Sequence, residues 1–194
     1  MELTSMRDGQ TLRPVDGYFA QAVLPLRIGN DLAQSAFAGP LDRELDRIGL
    51  GRVAGFEISQ DDEGEPALLT ITLSLATDAP RALKTVAQLL EKLDAPMGSR
   101  LGNAECDNLL EFGTSEGLGL YLPRQDTAEE DRLAVIEACT DALNGAGLYQ
   151  GSVSVGDRTA LYFYGNSFNR MRTAITYVMT TDPRCRNAFA RRLN

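Results

Sequence analysis

The chain has 194 residues, 43% of them apolar, and a net charge of −8, which suits one large domain or two small ones with a sizeable core. It contains no histidine and no tryptophan. A Ser-His-Asp triad, a Cys-His pair, an HExxH helix and any His-ligated metal are therefore excluded.

Charge is unevenly spread. Residues 1–115 hold 18 Asp+Glu against 10 Lys+Arg, whereas residues 116–194 hold 9 against 9. The acidic first half repels nucleic-acid phosphates and anionic membranes. It suits a basic protein partner, since complementary charge raises the association rate. Cys106, Cys139 and Cys185 are odd in number and widely spaced, which reads as reduced cysteines. The apolar stretches, such as Ala67–Leu75, fall short of the roughly 20 residues that span a bilayer. Residues Met1–Asp8 lack a basic flank followed by an apolar run, so no signal peptide is expected and a cytoplasmic location follows by default.

Residues 1–20 show little periodicity and are expected to be a flexible N-terminal segment. Ala22–Ile28 reads as a strand. A helical stretch over Asp31–Ile48 follows, with Leu41, Leu45 and Ile48 at helical spacing. Gly39-Pro40 is expected to break it. Gly51–Gln60 and Ala67–Ala76 read as strands, the second alternating Leu69, Ile71, Leu73 and Leu75 with Thr70, Thr72 and Ser74. Between them lies the polar turn Asp61-Asp-Glu-Gly-Glu-Pro. Pro80 opens a helix to about Leu93 whose stripe is Leu83, Val86, Ala87, Leu90 and Leu93. Ser99–Gly102 makes a short last strand.

The second half repeats that order. Gly119–Pro123 is a strand. Thr127 and Glu130 form a capping-box pattern for a helix to Asn144, with Leu133, Ile136, Cys139 and Leu143 on one face. Tyr149–Val155 and Arg158–Tyr164 form a hairpin about Gly156-Asp157. Asn166 or Ser167 caps a helix carrying Phe168, Met171, Ile175 and Val178, and Cys185–Leu193 is a final strand. Each half thus reads strand–helix–strand–strand–helix–strand. The expected fold class is α+β: two tandem ferredoxin-like (βαββαβ) units with antiparallel sheets. The boundaries are residues 21–115 and 116–194. The polar link Asn103–Glu116 is short, so the halves are expected to pack together.

Two clusters stand out as candidate partner-binding sites. Asp61, Asp62, Glu63 and Glu65 place four carboxylates in five residues. The spacing fails the EF-hand pattern, so a solvated hairpin tip or a contact with a basic cleft is expected, with no metal and no cofactor. Tyr162 and Tyr164 share one sheet face, opposite Leu161 and Phe163, with Tyr149 on the neighbouring strand. Two placements follow: packed between the two half-sheets, or displayed as a protein-binding surface. Gly117-Leu-Gly and Gly145-Ala-Gly lead into a strand and out of a helix, so neither is a phosphate cradle. Arg184, Arg186, Arg191 and Arg192 make a basic C-terminus expected to balance acidic surface elsewhere, with an anion site as the alternative.

In the GRVAGFEISQ strand (Gly51–Gln60), the APMGSRL turn (Ala95–Leu101), TALYFYG (Thr159–Gly165) and DPRC (Asp182–Cys185), the chain resembles small acidic bacterial immunity proteins, the antidotes of secreted toxins. The resemblance spans about residues 22–190 and carries over no functional residue. It implies a cytosolic antidote that binds a cognate toxin tightly and blocks its active site or substrate entry; with the acidic first half, the expected function is a non-enzymatic binder of a basic toxin domain. A ligand-sensing regulatory module of paired ferredoxin-like units is the alternative, and a carboxylate- or tyrosine-dependent enzyme the third class.

Overall fold

The computed structural model describes residues 18–77, 80–103, 109–123 and 129–193. Elements run β1 (Tyr18–Leu24), α1 (Asn30–Leu32), a π-helical segment (Ala33–Ala38), α2 (Gly39–Arg47), β2 (Gly51–Gln60), β3 (Pro66–Leu75), α3 (Pro80–Lys92), β4 (Ser99–Gly102) and β5 (Leu110–Phe112). They continue with β6 (Glu116–Pro123), α4 (Glu129–Leu143), β7 (Gly147–Val155), β8 (Arg158–Gly165), α5 (Phe168–Thr181), a 3-10 turn (Pro183–Cys185) and β9 (Phe189–Arg192). The protein is mixed α+β with two antiparallel sheets, ordered β2-β3-β1-β4-β5 and β7-β8-β6-β9.

Alternation explains the first sheet. Leu69, Ile71, Leu73 and Leu75 of β3 are buried with Ala20, Ala22 and Leu24 of β1, beneath Leu41 and Leu45 of α2 and Val86, Ala87 and Leu90 of α3. The second sheet sends Leu118, Leu120, Leu161 and Phe163 into a separate cluster with Val135, Cys139 and Leu143 of α4 and Met171, Ile175 and Val178 of α5. The α4 stripe therefore runs 135–139–143 at helical spacing. Leu133, expected on that face, is 52% exposed, and Ile136 is half-buried.

Several expectations are corrected. Gly39-Pro40 does not break the helix: the turn before it widens, and the Gly39 N–H donates to the Gln34 carbonyl, five residues back. Such a π turn tolerates a proline that lacks the i→i−4 donor. β1 begins at Tyr18, so residues 18–20 are strand, and the expectation for residues 1–17 lies outside the described residues. So does the Thr127 cap. The last strand is confined to Phe189–Arg192, because Asp182 and Pro183 first start the 3-10 turn.

The link between the sheets adds the short strand β5, which sequence reading took for loop. It then fastens onto the turn after α3: the Thr114 N–H donates to the Ala95 carbonyl, and the Met97 N–H to the Ser115 carbonyl. Gly113 has φ +100, and a Cβ there would lie 1.9 Å from the Pro96 carbonyl oxygen, so only glycine fits.

Candidate functional site

The two halves meet at a buried carboxylate. Gly64, at φ +80, turns the β2–β3 hairpin so that Glu65 leaves the tip and points inward. The Glu65 N–H donates to Asp61 Oδ1 at 2.9 Å, and the Asp61 N–H donates to the Glu65 carbonyl at 2.9 Å. The Glu65 side chain is 0% exposed. Its Oε2 accepts from Arg27 Nη1, from the Tyr121 hydroxyl at 3.0 Å and from the Tyr162 hydroxyl at 2.9 Å. Its Oε1 has no hydrogen-bond partner; the Arg191 guanidinium stands 3.7 Å from it.

Arg27 ties the site together. It lies just past β1 among buried Leu26 and Ile28, and its Nη2 reaches Asp61 Oδ2 at 2.9 Å. Its backbone N–H donates to the Tyr164 hydroxyl at 2.9 Å. Burial opposes its charge, but Glu65 and Asp61 outweigh that and raise its pKa above the ordinary value. Burial pushes the Tyr121 phenol up to about 12, reinforced by the bond to Glu65. Tyr162 is raised by the same two causes and Tyr164 by burial. All three phenols are held as neutral donors or acceptors.

The second sheet is shaped to supply these hydroxyls. Tyr121, Ala160, Tyr162 and Tyr164 belong to the same hydrophobic cluster as Leu26, Ile28, Ala33 and Phe37 of the first half. Gly119 pairs with Tyr162 across the sheet. A Cβ on it would come within 2.8 Å of the Tyr121 ring and 2.9 Å of Leu193, so the small residue makes room for large neighbours. Tyr121 stacks on Phe189 at 4.9 Å, and the Arg191 guanidinium lies 4.8 Å from the Tyr121 ring centroid, donating to its hydroxyl at 2.7 Å. Arg192 pairs with Glu116, whose other oxygen accepts the Phe168 N–H at the start of α5.

Above this network a cleft of about 350 Å³ opens at the junction. Arg27 and Asp61–Glu63 form one wall, Arg191–Leu193 the other. A second junction cavity of about 510 Å³ lies between Gly29–Leu32 and the Tyr149–Ser152 bulge of β7.

The structure splits the candidate residues. Asp62 and Glu63 are exposed at the hairpin tip and Asp61 is half-buried. Glu65 is not on the tip surface, because the Gly64 turn and Arg27 draw it inward. Tyr162 and Tyr164, 1% and 3% exposed, are not displayed: they are packed between the halves. Tyr149 is separated from them. The bulge at Gln150 places it opposite Phe163, at a ring distance of 5.6 Å on the helix-covered side. Sequence reading missed Arg27 and Tyr121; it named Arg191 only within the basic C-terminus, whose Arg191 and Arg192 face Glu65 and Glu116. A lone arginine within the apolar run Ala22–Ile28 was the available signal for Arg27.

No protein-family model matches the chain, and no curated protein matches it. Among solved structures it is similar to an unknown protein from Galdieria sulphuraria (12% identity, 90% of this chain and 95% of that one, TM-score 0.29). It is also similar to the first two RRM domains of the yeast poly(U)-binding protein (11% identity, 89% and 98%, TM-score 0.26). A third is a heme-binding protein from Thermus thermophilus (10% identity, 92% and 88%, TM-score 0.27). At these TM-scores the likenesses carry no argument about fold or function. Among the described residues no helix is long and apolar enough to cross a membrane.

Proposed function

We propose that this chain is a non-enzymatic, protein-binding protein of the toxin-immunity type, acting in the cytoplasm on a basic toxin domain. Its two halves are read as tandem ferredoxin-like (βαββαβ) units. The strand order supports that reading: with strands numbered within each half, both sheets run 2-3-1-4, and the first carries one extra edge strand. The observation that carries the functional reading is the pre-formed acidic rim. Asp62 and Glu63 stay exposed while Arg27 and the Asp61 turn tie their loop down, which lowers the ordering cost for a cationic partner. Capture from native lysate tests it. A basic protein should be retained, and its association should slow as salt rises, because exposed charges are screened beyond about 8 Å at physiological ionic strength. Retention of no basic protein, or salt-independent association, would count against the reading.

A ligand-sensing module is the second reading. The cavity beside the β7 bulge favours it, since the buried Gln150 Oε1 that borders it lacks a partner and bulges recur beside binding sites. Ligand-dependent shifts confined to Gly29–Leu32 and Tyr149–Ser152 would support it.

A further inference from the structure

We propose that the junction cleft receives a guanidinium side chain of the protein partner, which completes the acceptor shell of Glu65. This rests on the protein-binding reading above and gives it an anchor. Three carboxylates, Asp61, Asp62 and Glu63, line the cleft, and a fourth, Glu65, lies behind its lining residues Arg27 and Arg191. The cleft's three arginines are already engaged: Arg27 with Glu65 and Asp61, Arg192 with Glu116, and Arg191 with the Tyr121 hydroxyl. Among the described residues, Asp62 and Glu63 pair with no cation. The mouth of the cleft therefore carries uncompensated negative charge.

The floor supplies the independent observation. Glu65 is fully buried, its Oε2 accepts three bonds, and its Oε1 accepts none. Burying a carboxylate oxygen without a donor is costly, so a donor brought to Oε1 would add to the three bonds on Oε2. It faces Arg191, which lines the cleft but spends its short bond on Tyr121 rather than on Glu65. Arg191 is 43% exposed, so its guanidinium can swing outward and open the way. A guanidinium suits the position better than an ammonium. Its planar fork carries five donors, so one group can serve more than one carboxylate. The entering positive charge meets an excess of carboxylates, so the step needs no proton transfer.

Agmatine, a guanidinium without a carboxylate, is a suitable probe on the full chain. Titration followed by heteronuclear NMR should give saturable amide shifts centred on Asp61–Glu65 and Arg191–Leu193. The double variant Asp62→Asn/Glu63→Gln, on exposed positions that leave the fold intact, should bind about threefold more weakly, as expected for exposed ion pairs. Glu65→Gln should also weaken binding, provided its amide spectrum remains dispersed. Equal or tighter binding of glutarate would overturn the proposal, as would absence of saturable shifts or unchanged agmatine affinity in the double variant. Agmatine binding scores the cleft alone, whereas salt-dependent capture of a basic protein scores the functional reading, so the two fail separately.

Discussion

The two sheets bury one face alike and treat the other in opposite ways. On the first sheet the face away from the helices carries Phe19, Gln21, Val23, Thr70 and Thr72, which pair side by side across β1 and β3. These residues are exposed or half-buried, with Phe19 58% exposed. On the second sheet the equivalent face carries Tyr121, Ala160, Tyr162 and Tyr164, all buried against the first half. Threonine and glutamine tolerate water along a solvated face. Tyrosine offers a large apolar body with a polar tip, so it can close an interface if each hydroxyl finds a partner. Here the partners from the first half are one carboxylate and one backbone N–H, and Arg191 of the second half adds a donor to the Tyr121 hydroxyl. The halves are therefore joined by a polar lock set within an apolar contact, not by apolar packing alone.

The largest way to break this contrast is to remove the lock. Glu65→Ala should cost about 3–5 kcal/mol, because two buried tyrosine hydroxyls lose their acceptor and Arg27 keeps only Asp61. Urea unfolding checks this, and a loss below about 1 kcal/mol, the range of a surface pair, would show that the network contributes little. Tyr162→Phe removes one hydrogen bond to a charged group but keeps the ring. It should cost about 1.5–3 kcal/mol by the same measurement.

Alkali should act next. The Tyr121 phenol is raised from 10.0 to about 12, so the folded state holds its proton after the unfolded chain has lost it. Stability is then fully present below about pH 10 and falls as pH rises toward about 12. Tyr162 and Tyr164 shift the same way and add to the loss. Burial raises the Cys139 and Cys185 thiols to about 12 and about 11, which starts the decline from about pH 9. Tyr121→Phe should flatten this slope when urea midpoints at pH 8 and pH 11 are compared, and an equally steep slope would remove Tyr121 from the account.

The smallest effect should come from the first sheet's uncovered face. Phe19→Thr exchanges one strand former for another at a solvated position and should change stability by no more than about 0.5 kcal/mol. A large loss there would mean that this face, too, is covered, and the contrast between the sheets would collapse.

Much of the backbone was legible in the sequence. Ser99–Gly102 and the strands about Gly156-Asp157 stand where alternation and turn residues put them, and Ser167 caps α5 as its type suggests. Period and turn chemistry are local, so they survive reading one chain from end to end. The errors arose where distant segments compete. Strand β5, only three residues long within a mostly polar link, forms because β4 offers it a free edge and the core takes Phe112. Leu133 is exposed because α4 rotates to seat Val135 and Cys139. Pro40 is absorbed because Phe37, Leu41 and Leu45 on either side of it are all held in one core.

The candidate site divides along the same line. Sequence alone determined that Asp61–Glu65 is a turn dense in carboxylates and that Tyr162 and Tyr164 share a face opposite Phe163, since hairpin signals and the strand period of two need no tertiary partner. Only the tertiary structure decided that Glu65 faces inward while Asp62 and Glu63 face water. Four residues of identical or similar charge differ in burial because Arg27, 38 positions away, and Tyr121 and Tyr162, 56 and 97 positions away, converge on one of them. A carboxylate enters a protein interior only where donors from elsewhere in the chain replace its water, and no local pattern records their arrival.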